Sequence, residues 1–351
     1  MIEKKIPFVG LHAHSVAGSI FDAIGYPNEH MDFCYENGGE ALALTDHGNM
    51  NGFSHQFLHW QKMKSEGKEF KPIFGVEAYF LPSIEEWRDD YERIKEDKKL
   101  AKSLAKQGDT SGATVEDEDA SKKAIKSVIN RRRHLVLLAQ NQTGLNNLFK
   151  LISESYKEEN FYRYPRVDYK LLDKYSEGVI AASACLGGPY AGNYWANRDE
   201  GPDAVMEAMR ETSRQFVKIF GDRWYGELQW NNIAEQHELN QYIIKVCEEF
   251  DITLISTADS HYPNNEAWKD RELYKRLGWL GKGTPAWAED NTELPDGVEE
   301  IGYELYPKNG NQMWDAYKYY SKVGGFEYDD DLVMNSITET HNIAFNRFES
   351  F

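Results

Sequence analysis

Seven short apolar runs recur along the chain: "PFVGLHAH" (7–14), "EALALTDHG" (40–48), "KPIFGVEAYF" (71–80), "HLVLLAQN" (134–141), "EGVIAASACLGG" (177–188), "RWYGELQW" (223–230) and "ITLISTADSHY" (252–262). Most are continuous rather than alternating, the pattern of parallel strands covered on both faces. Helix-patterned stretches lie between most of them, such as "NEHMDFCYEN", "TGLNNLFKLISESY" and "AEQHELNQYIIKVCEEF". Strand alternating with helix seven times favours a (β/α) barrel over an open doubly wound sheet. An open sheet ordinarily carries a glycine-rich phosphate loop after its first strand, and neither GxGxxG nor GxxxxGK[ST] occurs in the sequence.

Two regions break this rhythm. Residues 84–133 are highly charged with few large apolar residues and read as a solvated insertion, two helices around a flexible "GDTSGATVEDEDAS" loop. The tail from about Gly283 is aromatic and acidic ("GYELYPKNGNQMWDAYKYY") and holds no strand pattern. The expected division is therefore 1–282, interrupted by the insertion, and a helical tail over 283–351.

Composition adds bounds rather than identity. With 351 residues, 41% apolar and 28% charged, the chain can bury a full core as a soluble protein. No apolar run approaches the roughly 20 residues that span a bilayer, and "MIEKKIPFVG" has no signal-peptide core, so a cytoplasmic location without a membrane partner is expected. Three cysteines, an odd and sparse set, imply no disulfide framework. A net charge of −18 argues against broad wrapping of nucleic acid. It leaves room for a local phosphate site, because bound divalent cations reverse the sign inside a pocket.

The candidate chemistry sits at the ends of the runs. His12 and His14 close the first, with Asp22 just beyond; Asp46 and His47 close the second, and Glu77 the third. Cys185 ends the fifth, and Asp259 and His261 the seventh. In a barrel such ends converge on one face, where active sites lie. His134 instead opens its run, so either that strand begins earlier or the histidine reaches the face from a loop. Five of the ten histidines thus fall at strand ends beside carboxylates. Imidazole, carboxylate and one thiolate form a donor set for Zn²⁺, Mn²⁺ or Fe²⁺.

At these residues the chain resembles the PHP (polymerase and histidinol phosphatase) domain family. "HAHSVAGSIFDA", "LALTDHGNM", "GVEAY", "HLVLLAQN", "SACLGG" and "TADSHY" fall in the order of its metal motifs. "FYRYPRVDYKLLDKYSEGVIAASACLGG" looks like the branch that begins bacterial DNA polymerase III alpha subunits. "YELYPKNGNQMWDAY" and "NSITETHNIAFNRF" look like the link from that domain into the polymerase proper. The likeness covers about residues 6–280 without the insertion. It implies a distorted seven-stranded (β/α)7 TIM-like barrel, the PHP fold, holding up to three divalent metals. One metal would take His12, His14, Glu77 and Asp259; a second would share bridging Glu77 and add His134 and Cys185; a third would take Asp22, His47 and His261. The turn between His14 and Asp22 is one residue longer than the family's usual turn.

Such a centre suits phosphoester hydrolysis. Asp46, Glu77 and Asp259 are the carboxylates expected to carry the catalysis, with Asp46 orienting an imidazole rather than ligating. Three functions follow from the resemblance. The first is a metal-dependent 3′–5′ exonuclease acting on DNA strand ends. The second is a metal-stabilised, non-catalytic module of a polymerase III alpha-like subunit that binds a polymerase or another replisome subunit. The third is a small-molecule phosphatase of the histidinol-phosphate type.

Other polar features invite blander readings. "HQFLH" lacks the glutamate of a helical zinc motif and places His55 and His59 on an ordinary amphipathic helix. His30, His237 and His341 read as surface residues, and Cys34 and Cys247 as core. "RRRH" (131–134) reads equally as a phosphate contact and as a solvated end to the insertion. "DDD" (329–331) precedes a helical pattern and reads as N-terminal helix charge.

Overall fold

A computed structural model describes residues 5–106, 127, 130–279 and 304–349. Six strands form one curled sheet: β1 (Ala41–Leu44), β2 (Lys71–Phe80), β3 (Arg133–Ala139), β6 (Val179–Ala182), β7 (Trp224–Gln229) and β8 (Thr253–Thr257), in the order β1-β2-β3-β6-β7-β8. A two-residue pair, β4 (Phe161–Tyr162) and β5 (Tyr164–Pro165), stands apart. The first apolar run is not a regular strand. It meets β1 at Gly10 and the segment after β8 at Ala13 through isolated bridges, so it lies between the two edge strands. Val9 and Leu11 pack in the inner core while Ala13 packs in an outer one, so the two-residue alternation slips between them. That slip explains why the pairing is interrupted.

One expectation needs correcting. β3 runs antiparallel to both β2 and β6, whereas the apolar continuity of its sequence reads as a parallel strand. Continuity reports burial on both faces, not direction. Leu135, Leu137 and Ala139 face the outer helices, and Val136 and Leu138 face the interior. The reversal also settles the position of His134. Tyr79 pairs with His134 at the far end of β2, so the start of β3 lies where its neighbours end.

Helices cover the outside of the sheet: α1 (Pro27–Glu36), α2 (Phe53–Ser65), α3 (Ile84–Lys106), α4 (Gln142–Ser155), α5 (Tyr169–Tyr175), α6 (Pro189–Asn197), α7 (Pro202–Phe220), α8 (Ala234–Phe250) and α9 (Trp268–Trp279). Several start at side-chain caps, as where Asn141 accepts from Gly144 N and Asp168 from Leu171 N. The insertion is anchored at its start, where Ile84 and Trp87 are buried against Leu81. The loop 108–121 lies outside the described residues.

Two helices of the tail, α10 (Gly310–Gly324) and α11 (Asp330–Asn346), complete the core. Val333 and Ile337 join the outer cluster, and Ile343, Ala344 and Phe348 join the inner one. Asp329 caps α11 through Asp331 N and Leu332 N, the role expected of the acidic triplet. Lys71 Nζ donates to the Ala344 and Phe348 carbonyls at 2.8 and 2.6 Å, placing a cation at the helix C-terminus. Two histidines expected at the surface are buried. His30 Nε2 donates to the Ile24 carbonyl at 3.0 Å. His237 is covered by the tail: its Nδ1 meets the Tyr328 hydroxyl at 2.9 Å, and Phe326 stacks on its ring. Polar helical sequence gave no sign of those covers.

Candidate metal centre

The alternation of the strands places the site. On β2, Ile73 faces the lower interior and Glu77 stands two pleats above it. Tyr225 and Glu227 repeat this on β7, and Ile255 and Thr257 on β8. The loops that follow bend sharply. Phe21, Ala184 and Asp259 have φ of 63°, 57° and 50°, conformations that side chains adopt at a cost. Each is, or adjoins, a predicted ligand. The "SACLGG" turn is equally tight: a Cβ on Gly188 would lie 1.9 Å from the Ser183 carbonyl oxygen.

All nine predicted ligands converge at this end. Glu77 is at the middle and fully buried, with Oε1 3.1 Å from His134 Nδ1 and 3.4 Å from His12 Nε2. Its Oε2 lies 2.5 Å from His47 Nδ1 and 3.7 Å from His14 Nε2. Asp259 Oδ1 lies 3.2 Å from His12 Nε2 and 3.1 Å from His14 Nε2. Asp22 Oδ2 approaches His47 Nε2 at 2.8 Å and His261 Nε2 at 3.3 Å. Cys185 Sγ stands 3.8 Å from His134 Nδ1 and accepts from Gly187 N at 3.5 Å. The His14 ring stacks on that of His47 at 4.1 Å between centroids and lies tilted against that of His261 at 4.4 Å.

Asp46 is buried here but touches no imidazole. It accepts from Ser15 N at 2.6 Å, Ser15 Oγ at 2.9 Å and Ser19 Oγ at 2.9 Å. Ser19 Oγ in turn lies 3.3 Å from His14 Nδ1 and accepts from His47 N at 3.1 Å. Asp46 therefore fixes the loop from which two histidines project, rather than orienting a ring itself.

Three contributing residues escaped the sequence reading. Glu227 Oε1 accepts from His12 Nδ1 at 2.6 Å, from Gln229 Nε2 at 3.1 Å and from Thr257 Oγ1. This fixes the His12 ring so that Nε2 faces the cluster. A glutamate inside an otherwise apolar strand was the available signal. Arg271 donates Nε to the Asp22 carbonyl at 2.6 Å and Nη2 to Asp22 Oδ1 at 2.8 Å, holding that loop down from α9. Ser19 is the third, and nothing in its local sequence marks it.

The electrostatics fit bound cations. Burial alone would raise the carboxyl of Glu77, yet His134 and His47 hold it well below the usual carboxylate range. Asp259 and Asp22 are likewise held ionised against burial, Asp259 by His12 and His261 and Asp22 chiefly by His261. Burial and the neighbouring His47 and His261 push His14 well below an ordinary histidine, leaving it neutral and able to ligate. Both Glu77 oxygens, Asp259 Oδ1 and His47 Nδ1 are buried without a well-formed hydrogen bond. Buried carboxylate oxygens in that condition are costly unless something else completes them. Ligand atoms of His12, His14 and Glu77, of His47, Glu77 and His134, and of His14, His47 and His261 each lie within 4.8 Å of one another. Such triplets of nitrogen and carboxylate donors are what a divalent ion requires.

The model of the PHP domain matches residues 10–231 of this sequence. The chain belongs to the PHP domain family. Similar curated proteins are DNA polymerase III alpha subunits. That of Aquifex aeolicus is 36% identical over 259 residues, covering 74% of this chain and 18% of its own. That of Borreliella burgdorferi is 34% identical over 310 residues, covering 88% and 22%. This PHP domain chain thus spans about a fifth of the length of these relatives. Among solved structures, an amidohydrolase from Chromobacterium violaceum matches 76% of this chain and 96% of its own at 14% identity with a TM-score of 0.35, too distant to bear on the reaction. No helix among the described residues is long and apolar enough to cross a membrane.

Proposed function

We propose that this PHP domain is a metal-dependent phosphoesterase that shortens DNA strands from the 3′ end. The observation that carries the reading is Glu77, a buried carboxylate approached by four histidines with neither oxygen properly hydrogen-bonded. His12, His14, Glu77 and Asp259 would hold one metal, His134 and Cys185 with Glu77 a second, and Asp22, His47 and His261 a third. Zn²⁺, Mn²⁺ and Fe²⁺ all suit these donors. Metals bound there supply Lewis-acid polarisation of a phosphoryl oxygen and a water activated at neutral pH. The chain's own residues supply alignment. Glu227 fixes the His12 ring, the Asp46–Ser19 pair fixes the loop carrying His14, and Arg271 fixes Asp22. Likeness to polymerase subunits supports DNA as substrate and a replisome setting in the cytoplasm.

The same likeness supports a second reading, a metal-bearing module without catalysis that docks a polymerase or another replisome subunit. One experiment separates them. Single-stranded DNA labelled at its 5′ end is incubated with wild type and Asp259→Asn in Mn²⁺, alongside p-nitrophenyl phosphate. Stepwise 3′ shortening that Asp259→Asn abolishes supports the nuclease. Bound metal with neither substrate cleaved supports the scaffold, and cleavage of the small ester alone points to a small-molecule phosphatase.

A further inference from the structure

The basic triplet before His134 separates into three environments. Arg131 is paired with Asp90 at 2.7 Å. Arg133 runs along α6, where a Cβ on Gly192 would meet its Nε at 2.2 Å. Arg132 does neither. Its guanidinium carbon lies over the Tyr164 ring, 3.8 Å from the centroid, and 5.1 Å from that of the Tyr79 ring. Its Nη1 donates to the Asn130 carbonyl at 3.1 Å, while its Nε is buried with no hydrogen-bond partner. Among the described residues no carboxylate comes within ion-pair distance of it. In a chain of net charge −18, that is an unusual state for a half-buried cation.

The position of this shelf matters as much as its charge. Tyr79 stacks on the ligand ring of His47 at 6.1 Å and 11°, and lies 5.6 Å from that of His134. Arg132 therefore stands one aromatic ring outside the metal cluster. Behind it, Arg166 is buried over Trp87 and donates Nη1 to the Tyr162 and Tyr164 carbonyls at 3.0 and 2.9 Å, fixing the short β4–β5 pair that carries Tyr164. A guanidinium stacked on a ring keeps its N–H edge in plane, and that edge matches two phosphate oxygens. Tyr79 touches both this guanidinium and the rings of His47 and His134, so Arg132 stands beside the cluster and suits a phosphate next to the one being cleaved.

We propose that Arg132, shelved on Tyr164, is a positioning residue that grips a second, non-scissile phosphate of a nucleic-acid strand whose end enters the metal cluster. This inference rests on the phosphoesterase reading and narrows its substrate to one with at least two phosphates. It also supplies the local positive contact that a strongly acidic chain needs to hold DNA.

The test compares wild type, Arg132→Gln and Arg132→Lys on two substrates, a single-stranded oligonucleotide and the p-nitrophenyl ester of thymidine 5′-phosphate, a diester with one phosphate. Arg132→Gln should raise KM for the oligonucleotide roughly tenfold, the scale of one lost charge-assisted bond, with kcat within about twofold. KM for the single-phosphate ester should not move, and Arg132→Lys should recover part of the loss because it keeps charge but not the fork. An unchanged oligonucleotide KM, or equal changes on both substrates, overturns the proposal. If wild type cleaves neither substrate, the phosphoesterase reading falls by itself. Binding of the labelled oligonucleotide in Mn²⁺, followed by fluorescence anisotropy, then judges Arg132. Roughly tenfold weaker binding by Arg132→Gln supports the phosphate contact, and equal binding overturns it.

Discussion

On its inner face the sheet carries Ile73, Leu138, Ile180, Tyr225 and Ile255 toward one end and Glu77, Glu227 and Thr257 toward the other, and β2, β7 and β8 each carry a member of both sets. The first end is closed by Ile343, Ala344 and Phe348 of the tail in a continuous apolar cluster, and the polar groups beside it are paired, as where Lys71 Nζ meets the Ala344 and Phe348 carbonyls. The second end buries His12, His14, Glu77 and Asp259 as imidazoles and carboxylates, yet both Glu77 oxygens and Asp259 Oδ1 lack a well-formed hydrogen bond. Burying one aliphatic side chain favours folding by about 1.5–3 kcal/mol, whereas burying an unpaired charge opposes it by more. Fold and chemistry are thus divided between the two ends. The apolar end supplies the stability that lets the polar end hold an arrangement only bound cations would complete.

Substitutions at each end should therefore have separable consequences. Ile255→Ala, at the apolar end, should cost about 2–5 kcal/mol of stability while metal content per folded chain stays at the wild-type value. Denaturant unfolding alongside metal analysis checks both halves; lost metal at unchanged stability would break the division. Glu227→Gln, at the polar end, should do the reverse. Its side chain keeps its shape but orients His12 more weakly, so metal affinity should fall roughly 10–100-fold with little change in unfolding free energy. Competition with a chelator measures this.

A smaller effect sharpens the boundary between the ends. His30 lies beneath the loop that carries Asp22, and burial lowers its pKa to about 4. The unfolded chain binds this proton below the ordinary histidine value of about 6.5, whereas the native one resists it until about 4. Stability from this group is therefore present above about 6.5 and is lost as pH falls toward 4. His30→Gln should flatten that part of the pH profile in thermal melts. An unchanged slope would show that the metal ligands alone set the acid sensitivity.

How much of this was legible in the sequence follows from the same division. Six of the seven apolar runs located the six strands of the curled sheet, because burial writes continuous hydrophobicity into the chain whatever the strand direction; the first run forms only isolated bridges, and the short β4–β5 pair carried no such run. Direction was not written, and so His134 looked misplaced until β3 proved antiparallel. The ligand candidates lay at or just beyond the ends of the apolar runs, where the family resemblance also put them, and all are brought together, Glu77 from inside β2 and Asp22 from a loop. Glu227 was missed because it lies within its strand, and its partner His12 is distant in sequence. Asp46 was given an imidazole by adjacency to His47, whereas its hydrogen bonds go to serines across a loop. His30 and His237 were misplaced because the segments covering them are tertiary neighbours.

The central claim is that Glu77 joins metals at the polar end of the curled sheet, and counting metals tests it most directly. Wild type and Glu77→Gln would be saturated with Mn²⁺ or Zn²⁺, freed of excess ion and analysed for metal per chain, with circular dichroism as a control for folding. The account predicts two or three ions in wild type and at most one in a folded Glu77→Gln. A wild type that retains no ion, or a Glu77→Gln that retains as many as wild type, would contradict it.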